Sequence, residues 1–465
     1  MSRLIVISNR VSAAKGRDMA GAQGGLAVAL QAALREHRGI WFGWSGKETE
    51  VFTGQLHMQQ AEGVTTATID LEPRDIDEYY NGYANRTLWP LLHHRIDLTE
   101  FERHFSTGYQ RVNERFAESV LPLIEPDDVI WVHDYHLLPL ARILRARGVK
   151  CPIGLFLHIP WPPARLFAAL PDHELLVEAM LDFDLIGFQT TEWLESFCQY
   201  VEGEMGGALS GDGMLQVRGR SVKVGAFPIG LDYAEFTKGA NSPVADQACS
   251  RLRASVNNRK LLIGVDRLDY SKGLAERFDS YDRFLTDNPD MANQVVLLQI
   301  APPSREIVNT YQIIRENLDT RTGHINGAHA DVDWVPIRYV NRGYSRAELA
   351  GFYRAAHIGL VTPLRDGMNL VAKEFVAAQN PSDPGVLILS EFAGAAQQLT
   401  DAVLVNPYSA EEVSDAIRIA LKMPQKERIR RWEQLIVSVR DDDVVRWRES
   451  FLRSLRDEVL PQKAA

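Results

Sequence analysis

The sequence predicts an α/β protein made of two Rossmann-like halves. Three observations carry that prediction. Short apolar runs end in polar residues, helix-length amphipathic segments separate them, and a Pro- and Gly-containing break divides one series of runs from a second. Runs of this kind suit parallel strands covered on both faces. The chain has 465 residues, 45% of them hydrophobic, so it can bury more than one core and should form at least two domains.

In chain order, LIVI (4–7) reads as the first strand and GGLAVALQAAL (24–34) as the helix after it. DDVIWVHD (127–134), IGLFLHIP (153–160) and DLIGFQT (184–190) are further strands. SVKVGAFPIGLD (221–232) closes the first series, and the polar residues and SPVAD beyond it mark a hinge. The second series runs through KLLIGVDRLD (260–269), QVVLLQIA (294–301), WVPIRYV (334–340), HIGLVTPL (357–364), GVLILSE (385–391) and AVLVNP (402–407). Ser345 with Glu348, and Ser409 with Glu412, have the spacing of capping boxes. The segment 444–460 reads as a helix in which Trp447, Phe451 and Leu455 recur on one face. Two doubly wound halves of this kind place a cleft at the carboxyl ends of their strands.

Lys and Arg number 51 against 61 Asp and Glu, a formal net charge of -10. This argues against a general nucleic-acid or anionic-membrane binder, while leaving room for a local basic pocket. Cys151, Cys198 and Cys249 share no metal-like spacing, and a chain this long needs no disulfide staple, which points to a reducing cytoplasm. The apolar run in MSRLIVISNR is too short for a signal peptide, and no stretch approaches the roughly 18 apolar residues of a membrane span.

Chemistry concentrates at the expected strand ends. In VDRLDYSKG (265–273), Arg267 and Lys272 fall in the loop after a strand, where two cations beside a glycine suit a diphosphate; a solvated loop with surface ion pairs is the other reading. In LVTPLRDGMNLVAKE (360–374), Asp366 and Gly367 are expected to begin a helix. Its free amides, running from Gly367 through Met368, Asn369, Leu370 and Val371, would favour an anion. A carboxylate there competes with a phosphate for the same amides. The division that removes the conflict gives phosphate to the amides near Leu370 and Val371, a sugar to Asp366 and ribose to Glu374; an ordinary Asp-capped helix start is the alternative.

HDYHLL (133–138) and LHIPWPP (157–163) put Asp134 and His158 at two strand ends that point into one crevice, a structural or solvated histidine being the other reading. The spacing of His133, Asp134 and His136 fits no zinc signature, and no metal site is expected. SNR (8–10) offers Arg10 as a phosphate ligand, and Gly24 and Gly25 allow close approach of backbone to a ligand. In DEYYNGYANRTLWPLLH (77–93), Tyr80 and Trp89 could wall a sugar pocket or simply pack in a core. GxGxxG, GxxxxGK[ST] and GxSxG are absent, which lowers nicotinamide, P-loop and serine-hydrolase readings. DVDWV (331–335) superficially resembles an aspartate-nucleophile phosphatase opening, but it follows the polar run GAHA and is discounted.

Taken together, SNR, GG, DEYYNGYANRTLWP, WVHDYHLLPL, LHIPWPP, DRLDYSKG, APPSR and LVTPLRDGMNLVAKE resemble the trehalose-6-phosphate synthase family from about residue 2 to about residue 455. The resemblance implies the glycosyltransferase-B fold. The expected partition is an acceptor-binding domain at 1–235, a donor-binding domain at 236–443 and a helix at 444–465 that crosses back to the first domain. It implies retaining transfer of glucose from a nucleotide-glucose, UDP-glucose first, to glucose 6-phosphate, with no cofactor and no metal.

By resemblance, Arg10 and Arg305 hold the acceptor phosphate with Tyr80 assisting, while Trp89 and Asp134 shape the acceptor glucose site. Gly25 offers its backbone near the donor phosphate and His158 sits by the transferred glucose. Arg267 and Lys272 grip the diphosphate, Asp366 and the following amides hold the glucose, and Glu374 takes the ribose. Asp134, His158, Arg267, Lys272 and Asp366 are the expected catalytic set. Relatives are commonly homo-oligomers, dimers or tetramers. Alternatives are a related transferase using another acceptor such as glycerol 3-phosphate, a pseudo-sugar synthase, or a non-catalytic regulatory subunit.

Overall fold

A computed structural model describes residues 3–11, 30, 34, 39–61, 63–303 and 309–459. The helix expected at 24–34, with Gly24 and Gly25, therefore lies almost wholly outside the described residues, and Arg305 lies outside them too. The chain forms two compact units. Of the described residues, one takes in those up to Pro228 and those from Trp447 onward; the other runs from Ile229 to Arg446.

In the first unit the described strands are β1 (Leu4–Arg10), β2 (Ile40–Glu48), β3 (His57–Ala61), β4 (Val64–Leu71), β5 (Val129–His133), β6 (Ile153–Phe156), β7 (Leu185–Phe188), β8 (Ala208–Leu209), β9 (Met214–Val217) and β10 (Arg220–Ala226). They form one sheet in the order β3-β4-β2-β1-β5-β6-β7-β10-β9-β8. From β4 to β10 in that order every pairing is parallel, and the edges β3 and β9–β8 are antiparallel. Every residue of β5, VIWVH, is buried, as expected of a strand covered on both faces. The order reverses between β1 and β5, which places SNR and HDYHLL side by side.

DEYYNGYANRTL does not form an ordinary amphipathic helix. Ile76–Leu88 is π-helical and runs directly into the short helix Trp89–Leu92. Its start is held by charge. The fully buried Asp75 pairs with Arg111 at 2.8 Å and with Arg115, and Arg111 also reaches Glu78 at 2.8 Å. Those arginines sit on the helix Arg103–Val120, which comes so close that a Cβ at Gly108 would lie 2.3 Å from the Glu78 Cβ.

From Trp447 onward the helix Val444–Val459 completes the first unit. Trp447, Phe451 and Leu455 are all buried, and Phe451 stacks on Trp131 with centroids 4.9 Å apart. Gly154 and Gly187 form the socket, since a Cβ at Gly187 would lie 2.7 Å from the Phe451 ring.

The second unit contains β11 (Lys260–Val265), β12 (Val295–Ile300), β13 (Ile337–Val340), β14 (Ile358–Val361), β15 (Val386–Ser390) and β16 (Val403–Val405). Their order is β13-β12-β11-β14-β15-β16 and all pairings are parallel. This is the doubly wound Rossmann order, with its switch point between β11 and β14. Ser345 and Glu348 form a complete capping box. The second expected box is half-formed: Ser409 accepts from the Glu412 amide, but the Glu412 carboxylate accepts from the Asn406 amide instead. SPVAD is a helix start, with Ser242 capping Pro243–Ser255 inside the second unit.

Candidate active site

In the second unit two loops meet at the switch point. The chain leaves β11 at Val265, passes the exposed Arg267, and closes a 3-10 turn, Tyr270–Lys272, ahead of Gly273. Asp269 shapes this turn: its carboxylate accepts from the Ser271 amide at 2.9 Å and from the Tyr311 hydroxyl at 3.0 Å. The chain leaving β14 is tied alongside, the Leu364 amide donating to the Ser271 carbonyl at 2.8 Å. Gly273, with φ of +64°, is required here, because a Cβ would sit 2.4 Å from the Thr362 carbonyl oxygen.

The helix expected to begin at Asp366 and Gly367 begins instead at Leu370. Asn369, in the left-handed region with φ of +77°, is the cap, and its side-chain oxygen accepts from the Ala372 amide at 3.2 Å. Asp366 lies before the cap and bridges to Ala393: its amide donates to the Phe392 carbonyl and its carbonyl accepts from the Gly394 amide. Its carboxylate takes the Lys272 ammonium at 2.5 Å and the Asn369 side-chain amide at 3.1 Å. The expected competition between this carboxylate and an anion for the helix amides is therefore absent. Gly367 and Met368 are buried in the approach to the cap, where the Met368 carbonyl accepts from the Ala395 amide. Leu370 and Val371 begin the helix and carry amides with no intrahelical acceptor.

Glu374 lies within the same helix. Arg346 donates to one of its carboxylate oxygens at 3.3 Å and the Tyr353 hydroxyl to the other at 3.4 Å. Burial pushes the Glu374 carboxyl upward while Arg346 opposes that shift. Its neighbour Lys373 faces inward, where the ammonium donates to the Ile229 carbonyl at 2.8 Å and the Gln398 side chain at 2.6 Å. Burial brings this lysine down to about 7. Sequence reading missed Lys373, since Lys beside Glu near a helix start looks like a solvated face.

In the first unit Arg10 ends β1, exposed, with its guanidinium 5.5 Å from the Trp44 ring centroid. Tyr80 is half-buried, edge-on to Trp44 and stacked on His136 with centroids 6.1 Å apart. Trp89 is buried against Tyr135 and His93.

Asp134, immediately after β5, has φ of +72°, a conformation costly for a side chain other than glycine. Its amide donates to the Phe156 carbonyl and its carboxylate accepts from the His158 amide at 3.3 Å, so the ends of β5 and β6 are joined. His158 also meets His133, Nε2 to Nδ1, at 3.0 Å. Burial depresses His158 to about 3 and holds His133 well below its usual range, so both imidazoles are neutral near pH 7. Trp447 of the last helix lies under both rings, 6.3 Å from His133 and 6.0 Å from His158.

The structure thus groups Asp134 with His158, Arg10 with Tyr80 by way of Trp44, and Lys272 with Asp366 and Asn369. Among the described residues no cluster of His, Cys, Asp and Glu is arranged to hold a metal, and no helix is long and apolar enough to cross a membrane.

Two Rossmann-like units, with cations and a helix start gathered at a switch point, match the architecture of the GT-B glycosyltransferases, and the relatives place the chain in that class. The chain belongs to glycosyltransferase family 20, whose model matches residues 2–457. It is 48% identical over 457 residues to a trehalose-6-phosphate synthase of Sinorhizobium fredii, covering 98% of each chain. It matches the crystal structure of a UDP-forming α,α-trehalose-phosphate synthase from Burkholderia vietnamiensis with a TM-score of 0.94, at 49% identity and covering 99% of this chain and 98% of that one. A Burkholderia xenovorans counterpart in complex with glucose 6-phosphate gives a TM-score of 0.93 at 46% identity, covering 98% of this chain and 100% of that one.

Proposed function

We propose that the protein transfers glucose from UDP-glucose to glucose 6-phosphate, giving α,α-trehalose 6-phosphate and UDP. The observation that carries the donor half is the meeting of Lys272, Asp366 and the Leu370 helix start at the switch point of the second sheet. Arg267 and Lys272 grip the diphosphate together with the Leu370 and Val371 amides. Gly25 offers its backbone near the donor phosphate, and Asp366, held clear of the helix amides, contacts the glucose with Gly367, Met368 and Asn369 beside it. Glu374 takes the ribose hydroxyls, its carboxylate already oriented by Arg346 and Tyr353. Arg10 and Tyr80 of the first unit, together with Arg305, hold the acceptor phosphate, and Trp89 and Asp134 the acceptor ring.

The reaction breaks the bond between the anomeric carbon and the leaving phosphate as an acceptor hydroxyl arrives on the same face, so configuration is retained. Negative charge grows on the leaving diphosphate, where Arg267, Lys272 and the helix amides bind it more tightly than in the ground state. The departing phosphate oxygen takes the acceptor proton. Asp134 orients the acceptor, and the neutral His158 lies beside the transferred glucose without repelling the positive charge that develops at its anomeric carbon. The grip needs no metal or cofactor.

Three buried free thiols support a reducing, cytoplasmic setting. The working form is a homo-oligomer, dimer or tetramer, which light scattering on the purified protein tests. The decisive experiment offers UDP-, GDP- and ADP-glucose with glucose 6-phosphate or glycerol 3-phosphate and identifies the products. Trehalose 6-phosphate formed fastest from UDP-glucose is expected, and no transfer to glucose 6-phosphate from any donor would overturn the proposal.

A further inference from the structure

The loops that carry Arg267, Lys272 and Asp366 are braced from beneath by one buried guanidinium. Arg277 lies in the helix Leu274–Asp287 with its side chain fully buried. Its Nη1 meets Asp266 Oδ2, at the end of β11, at 2.5 Å and Gln299 Oε1, on β12, at 2.8 Å. Its Nε donates to the Thr362 hydroxyl, just past β14, at 2.9 Å, and Nη2 reaches the Lys272 carbonyl at 3.4 Å. One planar group thus touches three neighbouring strand ends and the backbone of the lysine itself. Gly264 shows how tightly this is built, since a Cβ there would lie 2.3 Å from Gln299 Oε1 and 2.6 Å from Arg277 Nη1.

We propose that Arg277 is a positioning residue for the donor diphosphate, setting the spacing between the Lys272 turn and the Asp366 loop through Asp266, Gln299 and Thr362. The proposal rests on the donor site assigned above. Arg277 touches no substrate. A lysine can replace its charge but not its fork, because only the guanidinium presents Nε, Nη1 and Nη2 in one rigid plane. Of its partners, Thr362 is the informative one, because it joins the β14 loop to the β11 side. Thr362→Val removes that link while leaving the charge pair with Asp266 and the local volume in place.

Wild-type turnover of UDP-glucose with glucose 6-phosphate tests the assigned reaction by itself; the present inference is read as UDP affinity, by titration calorimetry, in wild type, Arg277→Lys and Thr362→Val. Loss of a buried hydrogen bond to a charged group changes an equilibrium by about tenfold. The expected result is UDP binding weakened by about that factor in each folded variant, with the KM for glucose 6-phosphate unchanged. If Arg277→Lys does not fold, Thr362→Val decides alone. A folded Thr362→Val that binds UDP as wild type does, or equal losses for UDP and glucose 6-phosphate, would overturn the proposal.

Discussion

Lys272 and Asp366, carried on loops that leave different strands of the second sheet, form a charge pair with 2.5 Å between Nζ and Oδ2. Both side chains are mostly shielded from water, at 12% and 14% exposure, so the attraction is less screened than in a surface pair. In the proposed donor site a diphosphate meets Lys272 and a sugar meets Asp366. The pair therefore holds both groups in place beforehand and is exchanged for substrate contacts. Lys272→Ala should lower kcat by at least about 100-fold, the scale of losing one donor to developing charge. The fold, followed by circular dichroism, should survive. Wild-type-like turnover in Lys272→Ala would remove this lysine from the mechanism.

Arg10 offers a contrasting test. Its guanidinium is exposed at the end of β1 and, among the described residues, lies against the Trp44 ring and Gly46. A charge-assisted hydrogen bond to phosphate contributes roughly 1.5–3 kcal/mol. Arg10→Ala should raise the KM for glucose 6-phosphate about tenfold or more and leave that for UDP-glucose near its original value. Initial-rate kinetics with each substrate varied in turn checks this, and a rise confined to the UDP-glucose KM contradicts it.

Lys373 should give the protein a pH-dependent stability. Burial lowers its folded pKa to about 7 from an ordinary 10.5, so between those values the unfolded chain binds more protons than the folded one. The cost of burying the charge is full below pH 7 and relaxes as the pH rises toward 10.5. Stability should therefore rise across that window in wild type relative to Lys373→Met, which has nothing to titrate there. Urea midpoints of the two proteins at pH 6.5, 8 and 9.5 provide the measurement. A constant difference between them would show that Lys373 stays charged when folded.

Phe451 and Gly187 should behave as a coupled pair. Phe451→Ala opens a cavity at a cost of about 3–5 kcal/mol, and Gly187→Ala overpacks the socket at about 1–3 kcal/mol. Once the ring is gone, the added methyl has room, so the double variant should be less destabilised than the sum of the singles. Denaturant unfolding of the three variants closes the cycle, and simple additivity would mean that ring and glycine do not meet.

Much of the fold was legible because strands buried on both faces write themselves as unbroken apolar runs. VIWVH and KLLIGV are such runs, and the four-residue spacing of Trp447, Phe451 and Leu455 marks a buried helical stripe in the same way. The start of the Leu370 helix was not legible. Asp-Gly looks like a cap, but Asp366 is drawn into a bridge with Ala393, a partner remote in sequence, and Asn369 tolerates the left-handed conformation that the cap then needs. The π-helical Ile76–Leu88 was illegible for a related reason. Its start is held by a buried Asp75 and two arginines from another helix, and local periodicity carries no trace of that arrangement. Nothing in the sequence singles out Arg277 from the other charges of its helix, and only the packing of three strands around it reveals its role as a brace. Glycines 154 and 187 could not be read as a socket without knowing which ring fills it.

The return of the chain to its first unit also orders events during synthesis. The sheet that Phe451 covers is complete in sequence by β10, yet the covering helix emerges from the ribosome more than about 200 residues later, roughly tens of seconds at ordinary translation rates. Throughout that interval Trp131, Phe156 and the two socket glycines lack the ring that covers them in the finished fold. A chain stopped at Arg446 should bind a hydrophobic dye that the full chain excludes. On this order of synthesis the apolar face of the first sheet should stay uncovered until the last helix is made, and that helix ends the exposure.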